Sequence, residues 1–198
     1  PGYTLGGHAA DAKLEGGPHT LLTENLWDVV ILQDQSQIPG FPSGQPQMLE
    51  SIDGAKYLAD LATDSDALVA FLVTWGRRDG DTNNPQLYPD FETMNQRLNS
   101  GYNAYATAVE SPVRPVALIP AGGVFQSVKD ISPDVFQRLY TGDGSHPSQL
   151  GTYAAACIAA TSLTGRLPSE TTWAPGNITE EDGALIRQVV SDLVSESV

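Results

Sequence analysis

The sequence predicts an α/β chain built on a parallel sheet that helices cover on both faces. Two observations carry this. Short, nearly continuous β-branched runs recur at 27–32 (WDVVIL), 67–75 (ALVAFLVTW) and 115–119 (PVALI). Continuous runs, as opposed to alternation, mark strands buried on both faces. Longer stretches with helical spacing lie between and after them, and strands alternating with helices imply βαβ units. The first helix is predicted over 47–62, where Met48, Ile52, Ala55, Leu58, Ala59 and Ala62 recur at intervals of three and four. The second covers 91–110. The third, Ala-rich, covers 148–163, with Pro147-Ser148 as its entry and Gly165 as its C-terminal cap. The last covers 180–193, with Thr179 as N-cap and Glu180, Glu181 and Asp182 facing the helix dipole. In such sheets, ligands bind where strands end in loops at their carboxyl edge. Here those edges are 33–37, 75–81 and 120–123.

Size and charge narrow the function. The chain has 198 residues and a formal net charge of −14, with 10 Lys+Arg against 24 Asp+Glu. That is long enough for one domain with a real core. The charge argues against nucleic acid, whose affinity comes from neutralising cations, and against an anionic membrane surface. No apolar run reaches 18 residues, so no spanning helix is predicted. One cysteine, Cys157, excludes a disulfide framework and a multi-thiolate zinc site; in an Ala-rich helix it reads as a small buried residue. Three lysines among many acids suit a secreted or periplasmic protein slightly better than a cytosolic one.

Phosphate-loop, dinucleotide-binding, H-E-x-x-H and G-x-S-x-G signatures are absent. His8, His19 and His146 are too scattered for a recognisable metal triad. The most informative segment is 141–168, TGDGSHPSQLGTYAAACIAATSLTGRLP. Asp143 and His146 stand three apart in a Gly-rich loop before a helix. A carboxylate accepting from Nδ1–H sets the tautomer of the imidazole and leaves Nε2 as a general base. Gly144 gives the loop the freedom to turn both side chains inward. The plainer reading of D-x-x-H is a solvated acid beside a capping histidine.

The wider context favours the chemistry. D-G-S-H-P-S, then L-G-x-Y-x-A-A and L-T-G-x-x-P, resembles the last block of the SGNH (GDSL-like) hydrolases, in which Asp-x-x-His completes a serine triad. The stretch 27–39, WDVVILQDQSQIP, resembles the third block, in the subgroup reading LQ-[DE]-Q-S. There a glutamine stands where an oxyanion-binding Asn is usual; Gln35 falls in that slot and Gln33 is a second candidate. Gly2-Tyr3-Thr4-Leu5 resembles the second block, whose Gly offers its N–H to the oxyanion. Thr74-Trp75-Gly76-Arg77 resembles the subgroup's substrate-side wall, with Trp75 for a sugar face or for core packing and Arg77 for a carboxylate or sugar hydroxyls.

The resemblance implies a flavodoxin-like three-layer α/β/α sandwich with a parallel sheet, and a single domain over residues 1–198. The implied activity is that of a serine esterase acting on an O-acylated, acetylated carbohydrate or a short-chain ester, and it implies no metal or organic cofactor. The family's nucleophilic serine lies in an earlier block. The chain opens at Pro1 inside PGYTLGGHAAD, so that block, and the first strand with it, is expected upstream. Ser36 and Ser145 are poor substitutes: Ser36 takes the place of the third block's terminal acid, and Ser145 lies between the pair. The alternative is an SGNH-like module that binds a carbohydrate without a nucleophile. Two motifs lie outside this pattern. Asp79, Asp81, Asn83 and Asp90 have calcium-loop spacing but read better as an acidic surface loop. Asn177-Ile178-Thr179 matches a glycosylation sequon.

Overall fold

All three β-branched runs form strands in the computed structural model, which describes residues 2–64, 66–112 and 114–195. They are β1 (Val29–Leu32), β2 (Leu68–Leu72) and β3 (Val116–Ile119), in one sheet of order β1-β2-β3. β1 and β2 pair in parallel, with Val29 opposite Leu68 and Leu32 opposite Phe71. Each strand is shorter than its apolar run. Trp27 falls outside β1, 43% exposed, and its indole N–H donates to the Leu21 carbonyl at 2.7 Å. Thr74 and Trp75 lie beyond β2, and the indole N–H of Trp75 finds its acceptor in a loop.

Eight α-helices accompany the sheet among the described residues. The class is therefore mixed α/β with a parallel sheet, consistent with the α/β/α layering expected from the sequence. Four helices match the predicted periodicity: α3 (Pro46–Asp64), α4 (Phe91–Val109), α7 (Gln149–Thr164) and α8 (Glu180–Ser195). Their caps are as expected. Ser148 Oγ accepts from Gly151 N–H at 3.3 Å, Gly165 closes α7 at φ +70°, and Thr179 Oγ1 accepts from Asp182 N–H at 3.2 Å.

Four shorter helices escaped the sequence reading: α1 (Leu5–Lys13), α2 (Gly17–Thr23), α5 (Ala121–Ile131) and α6 (Pro133–Arg138). The first, LGGHAADAK, contains two glycines, which weaken helix propensity, yet Thr4 Oγ1 caps the Gly7 N–H at 2.9 Å and Leu5, Ala9 and Ala12 are buried along one stripe. The segment 120–123, expected to be a loop, instead carries the start of α5, with Pro120 at the N-cap.

The chain divides into two compact units. The first comprises Pro1–Thr74 and Gln96–Leu118, the second Trp75–Asn95 and Ile119–Val198. In the first, Leu5 and Ala9 of α1, Ala55, Leu58 and Ala59 of α3, Val69 and Phe71 of β2, and Tyr102, Tyr105 and Val109 of α4 are each no more than 4% exposed. Alanines at the crossing let the helices approach closely. The second unit centres on Phe91, Phe125, Phe136 and Leu139 with Ile158, Ile186 and Val190. An Arg138–Asp182 ion pair links α6 to α8.

Candidate functional site

The residues the sequence singled out fall into both units, and each group has its own geometry. Asp143 and His146 lie in the second unit, in the loop before α7. His146 Nδ1 is 2.6 Å from Asp143 Oδ2. The other oxygen, Oδ1, accepts from Ser145 N–H at 2.8 Å, His146 N–H at 2.9 Å and the Thr141 hydroxyl at 2.9 Å. These four donors hold the Asp143 carboxyl well below the usual carboxylate range, the His146 contact contributing most. An ionised carboxylate can only accept, so Nδ1 carries the proton, and an imidazole in its neutral form then presents Nε2 as the acceptor. The His146 side chain is 76% exposed and that of Asp143 49%. The pair is accessible to solvent.

Neighbouring segments hold this loop in place. Gly144 adopts φ +66° and its carbonyl accepts from Arg78 N–H at 2.8 Å. The Ser145 carbonyl accepts from Trp75 Nε1–H at 3.2 Å, and Ser148 N–H returns to the Leu139 carbonyl at 2.8 Å. Ser145 is thus engaged through both backbone groups. Behind the loop, Trp75 stacks on Phe125 with ring centres 4.5 Å apart and planes 3° from parallel. Tyr140 meets Phe125 edge to face, and its hydroxyl donates to the Gly76 carbonyl at 2.7 Å. Such aromatic pairs are each worth about 0.5–1.5 kcal/mol beyond burial. Trp75 is therefore half-buried, with one face on Phe125 and its N–H on the loop.

Arg77 is already partly engaged. Its Nη1 donates to Asp81 at 2.6 Å, the Arg77 side chain being 20% exposed and that of Asp81 fully buried, while its buried Nε has no hydrogen-bond partner among the described residues. Asp81 also accepts from Asn83 N–H and Asn84 Nδ2. The acidic loop expected at 79–90 is exposed at Asp79, which pairs with Arg78, and at Asp90, whereas Asp81 is buried and organises the turn from within. Among the described residues no cluster of three His, Cys, Asp or Glu side chains could hold a metal ion. Asn95 secures two segment ends, accepting from Gly76 N–H and donating to the Gly122 carbonyl, both at 3.1 Å.

Gly2, Gln33 and Gln35 lie in the first unit. Gly2 is exposed, with φ +77°, and Gln33 is exposed at the end of β1. Gln35 is half-buried and its amide is oriented: Nε2 donates to Gln37 Oε1 at 3.0 Å and Oε1 accepts from Gln37 N–H at 2.8 Å. One amide hydrogen is thereby engaged and the second is left over. Between the two glutamines stands Asp34, 3% exposed. Its Oδ1 accepts from Leu5 N–H at 3.0 Å and Gln35 N–H at 2.8 Å, and its Oδ2 accepts from the Tyr105 hydroxyl at 2.6 Å. Asp34 N–H donates to the Tyr102 hydroxyl at 3.1 Å. Burial pushes both phenols up, and the Asp34 charge adds to this at Tyr105; both remain protonated at neutral pH. Asp34, Tyr102 and Tyr105 are not among the residues the sequence motifs single out. The available signal was an acid inside an otherwise neutral Q-D-Q run, and two tyrosines three apart on the apolar face of a predicted helix.

Each unit also has an apolar cavity. One, of about 490 Å³, is lined by Tyr153, Cys157, Leu167 and Trp173 in the second unit; the other, of about 510 Å³, by Leu5, His8, Leu21 and Ile31 in the first. Cys157 is buried, as expected, and burial pushes its thiol up.

No protein-family model matches the chain, and no curated protein does. Among solved structures it is similar to the crystal structure of a DUF4886 family protein from Bacteroides uniformis ATCC 8492. The TM-score is 0.79 at 16% sequence identity, over 99% of this chain and 81% of that one. At that identity the likeness shows the fold alone.

Proposed function

We propose that this protein is a serine ester hydrolase of the SGNH type, acting on an O-acetylated carbohydrate or a short-chain ester, with His146 and Asp143 as its acid–base pair. The observation that carries the reading is the 2.6 Å contact between His146 Nδ1 and an Asp143 carboxylate saturated by four donors. A carboxylate so acidified stays ionised through the reaction and stabilises an imidazolium beside it. In this reading Nε2 takes the proton of an attacking serine hydroxyl and returns it to the leaving alcohol. Water then repeats the sequence on the acyl-enzyme. In the family's pattern the serine belongs to a block preceding the Gly2-Tyr3-Thr4-Leu5 segment. Gly2 N–H, with Gln35 or Gln33, supplies the oxyanion donors. Trp75 and the exposed part of Arg77 are the substrate-side groups. The chemistry needs no cofactor.

The test is hydrolysis of p-nitrophenyl acetate and a panel of acetylated sugars by the full-length gene product, with His146→Ala and Asp143→Asn alongside. Activity that falls by three orders of magnitude or more in both variants is the expected result, on the order of triad disruption elsewhere. Undiminished activity in His146→Ala refutes the assignment. A wild-type protein that binds these sugars without cleaving any supports the carbohydrate-binding module instead.

A further inference from the structure

Asp34 combines two features that rarely coexist without a counter-cation: it is a carboxylate, and it is 3% exposed. Among the described residues the groups that donate to it are neutral, namely Leu5 N–H, Gln35 N–H and the Tyr105 hydroxyl. A buried charge is costly unless hydrogen bonds satisfy it, so its retention calls for a reason. The connectivity supplies one. A single oxygen, Oδ1, accepts from the first residue of α1 and from the residue after Asp34 itself. Those two N–H groups belong to the two segments that carry Gly2 and Gln35. Moreover, α4 seats the second segment closely. At Gly101 a Cβ would lie 1.6 Å from the Pro39 carbonyl oxygen, so only glycine allows this approach. One and four residues further along, Tyr102 and Tyr105 reach the backbone and side chain of Asp34.

We propose that Asp34 is a positioning residue: its buried carboxylate sets the spacing between the Gly2–Leu5 and Gln33–Gln35 segments, with Tyr105 holding the carboxylate in place. The catalytic consequence rests on the esterase reading, in which these segments present the oxyanion donors. A shift of about 1 Å in such donors costs on the order of 100-fold in rate with little effect on substrate binding.

The experiment uses the full-length gene product with Asp34→Asn and Tyr105→Phe. Two readouts are taken: the backbone amide resonances of residues 2–5 and 33–37, and kcat and KM on p-nitrophenyl acetate. In Asp34→Asn the Leu5 and Gln35 amide protons move upfield together, having lost a charged acceptor, and kcat falls about 10- to 100-fold at nearly unchanged KM. Tyr105→Phe moves the same two amides less and lowers kcat a few-fold; it also serves as the test if Asp34→Asn does not fold. Amide shifts confined to one segment, or a kcat per folded molecule equal to wild type, overturn the proposal. If the wild-type protein hydrolyses nothing, the esterase reading fails by itself, and the paired amide shifts still decide whether Asp34 couples the segments.

Discussion

Two aspartates of this protein accept similar numbers of hydrogen bonds and differ in almost everything else. Asp143 takes four donors on a half-exposed loop, and one of them is an imidazole. Asp34 takes three neutral donors in the interior of the first unit. Water screens the first and supplies substitute partners if it is lost; nothing substitutes at the second. The same side chain is thus suited to chemistry in one place and to architecture in the other. The difference is burial, through its control of what an unmade hydrogen bond costs.

The largest expected effect lies at the exposed site. Asp143→Asn should lower esterase kcat by about three to four orders of magnitude through the wrong tautomer at His146, while the urea midpoint stays close to wild type. A large loss of stability would show that Asp143 is structural too. At the buried site the pattern reverses. Asp34→Ala orphans Leu5 N–H, Gln35 N–H and the Tyr105 hydroxyl, and should cost about 3 kcal/mol or more in urea unfolding. A cost below about 1 kcal/mol would place the first unit's stability elsewhere.

Each loop also rests on a helix glycine, which sharpens the comparison. A Cβ at Gly101 meets the Pro39 carbonyl oxygen at 1.6 Å and one at Gly151 meets the Leu139 carbonyl oxygen at 2.1 Å. Alanine at either should cost about 1–3 kcal/mol by thermal unfolding, because backbone must shift to admit it. Trp75→Phe keeps the stacking on Phe125 and removes the bond to the Ser145 carbonyl. About 1 kcal/mol of stability should go, with a several-fold rise in KM on acetylated sugars as the substrate-side indole is lost.

The smallest effect is electrostatic. The Arg138 guanidinium holds the Asp182 carboxyl below its usual range. A carboxylate acidified by folding contributes stability above its unfolded pKa and loses that contribution as pH falls through the folded value. Asp182→Asn should therefore cost about 0.5–1 kcal/mol at pH 7, allowing for the half-exposed Arg138. The difference from wild type should shrink as pH drops below about 4. A difference that persists in acid would mean that packing, and not charge, is what the substitution disturbs.

Local signals carried much of this far. The 3.6-residue period of 47–62 and 91–110 yields α3 and α4, and Ser148, Gly165 and Thr179 mark helix ends because capping is settled within a few residues. The Asp143–His146 contact was legible for the same reason: a three-residue spacing in a glycine-rich loop brings the two side chains together with little help. The helices α1, α2, α5 and α6 were not legible. They are short, glycine- or proline-bearing segments whose helicity depends on burial against other elements, and intrinsic propensity reports only the backbone's own preference.

The sequence by itself determined the α/β class, the long helices with their caps, and the composition of the Asp143–His146 loop, all of which rest on neighbours within one or two turns. Only the tertiary structure decided which acids are buried. Asp34 and Asp81 look like ordinary surface aspartates in the chain, yet one is held by donors 29 and 71 residues away and the other is paired with Arg77 inside its turn. Burial is a property of what packs over a residue. No spacing along the chain encodes it until the helices that bring Leu5, Tyr102 and Tyr105 to Asp34 are in place.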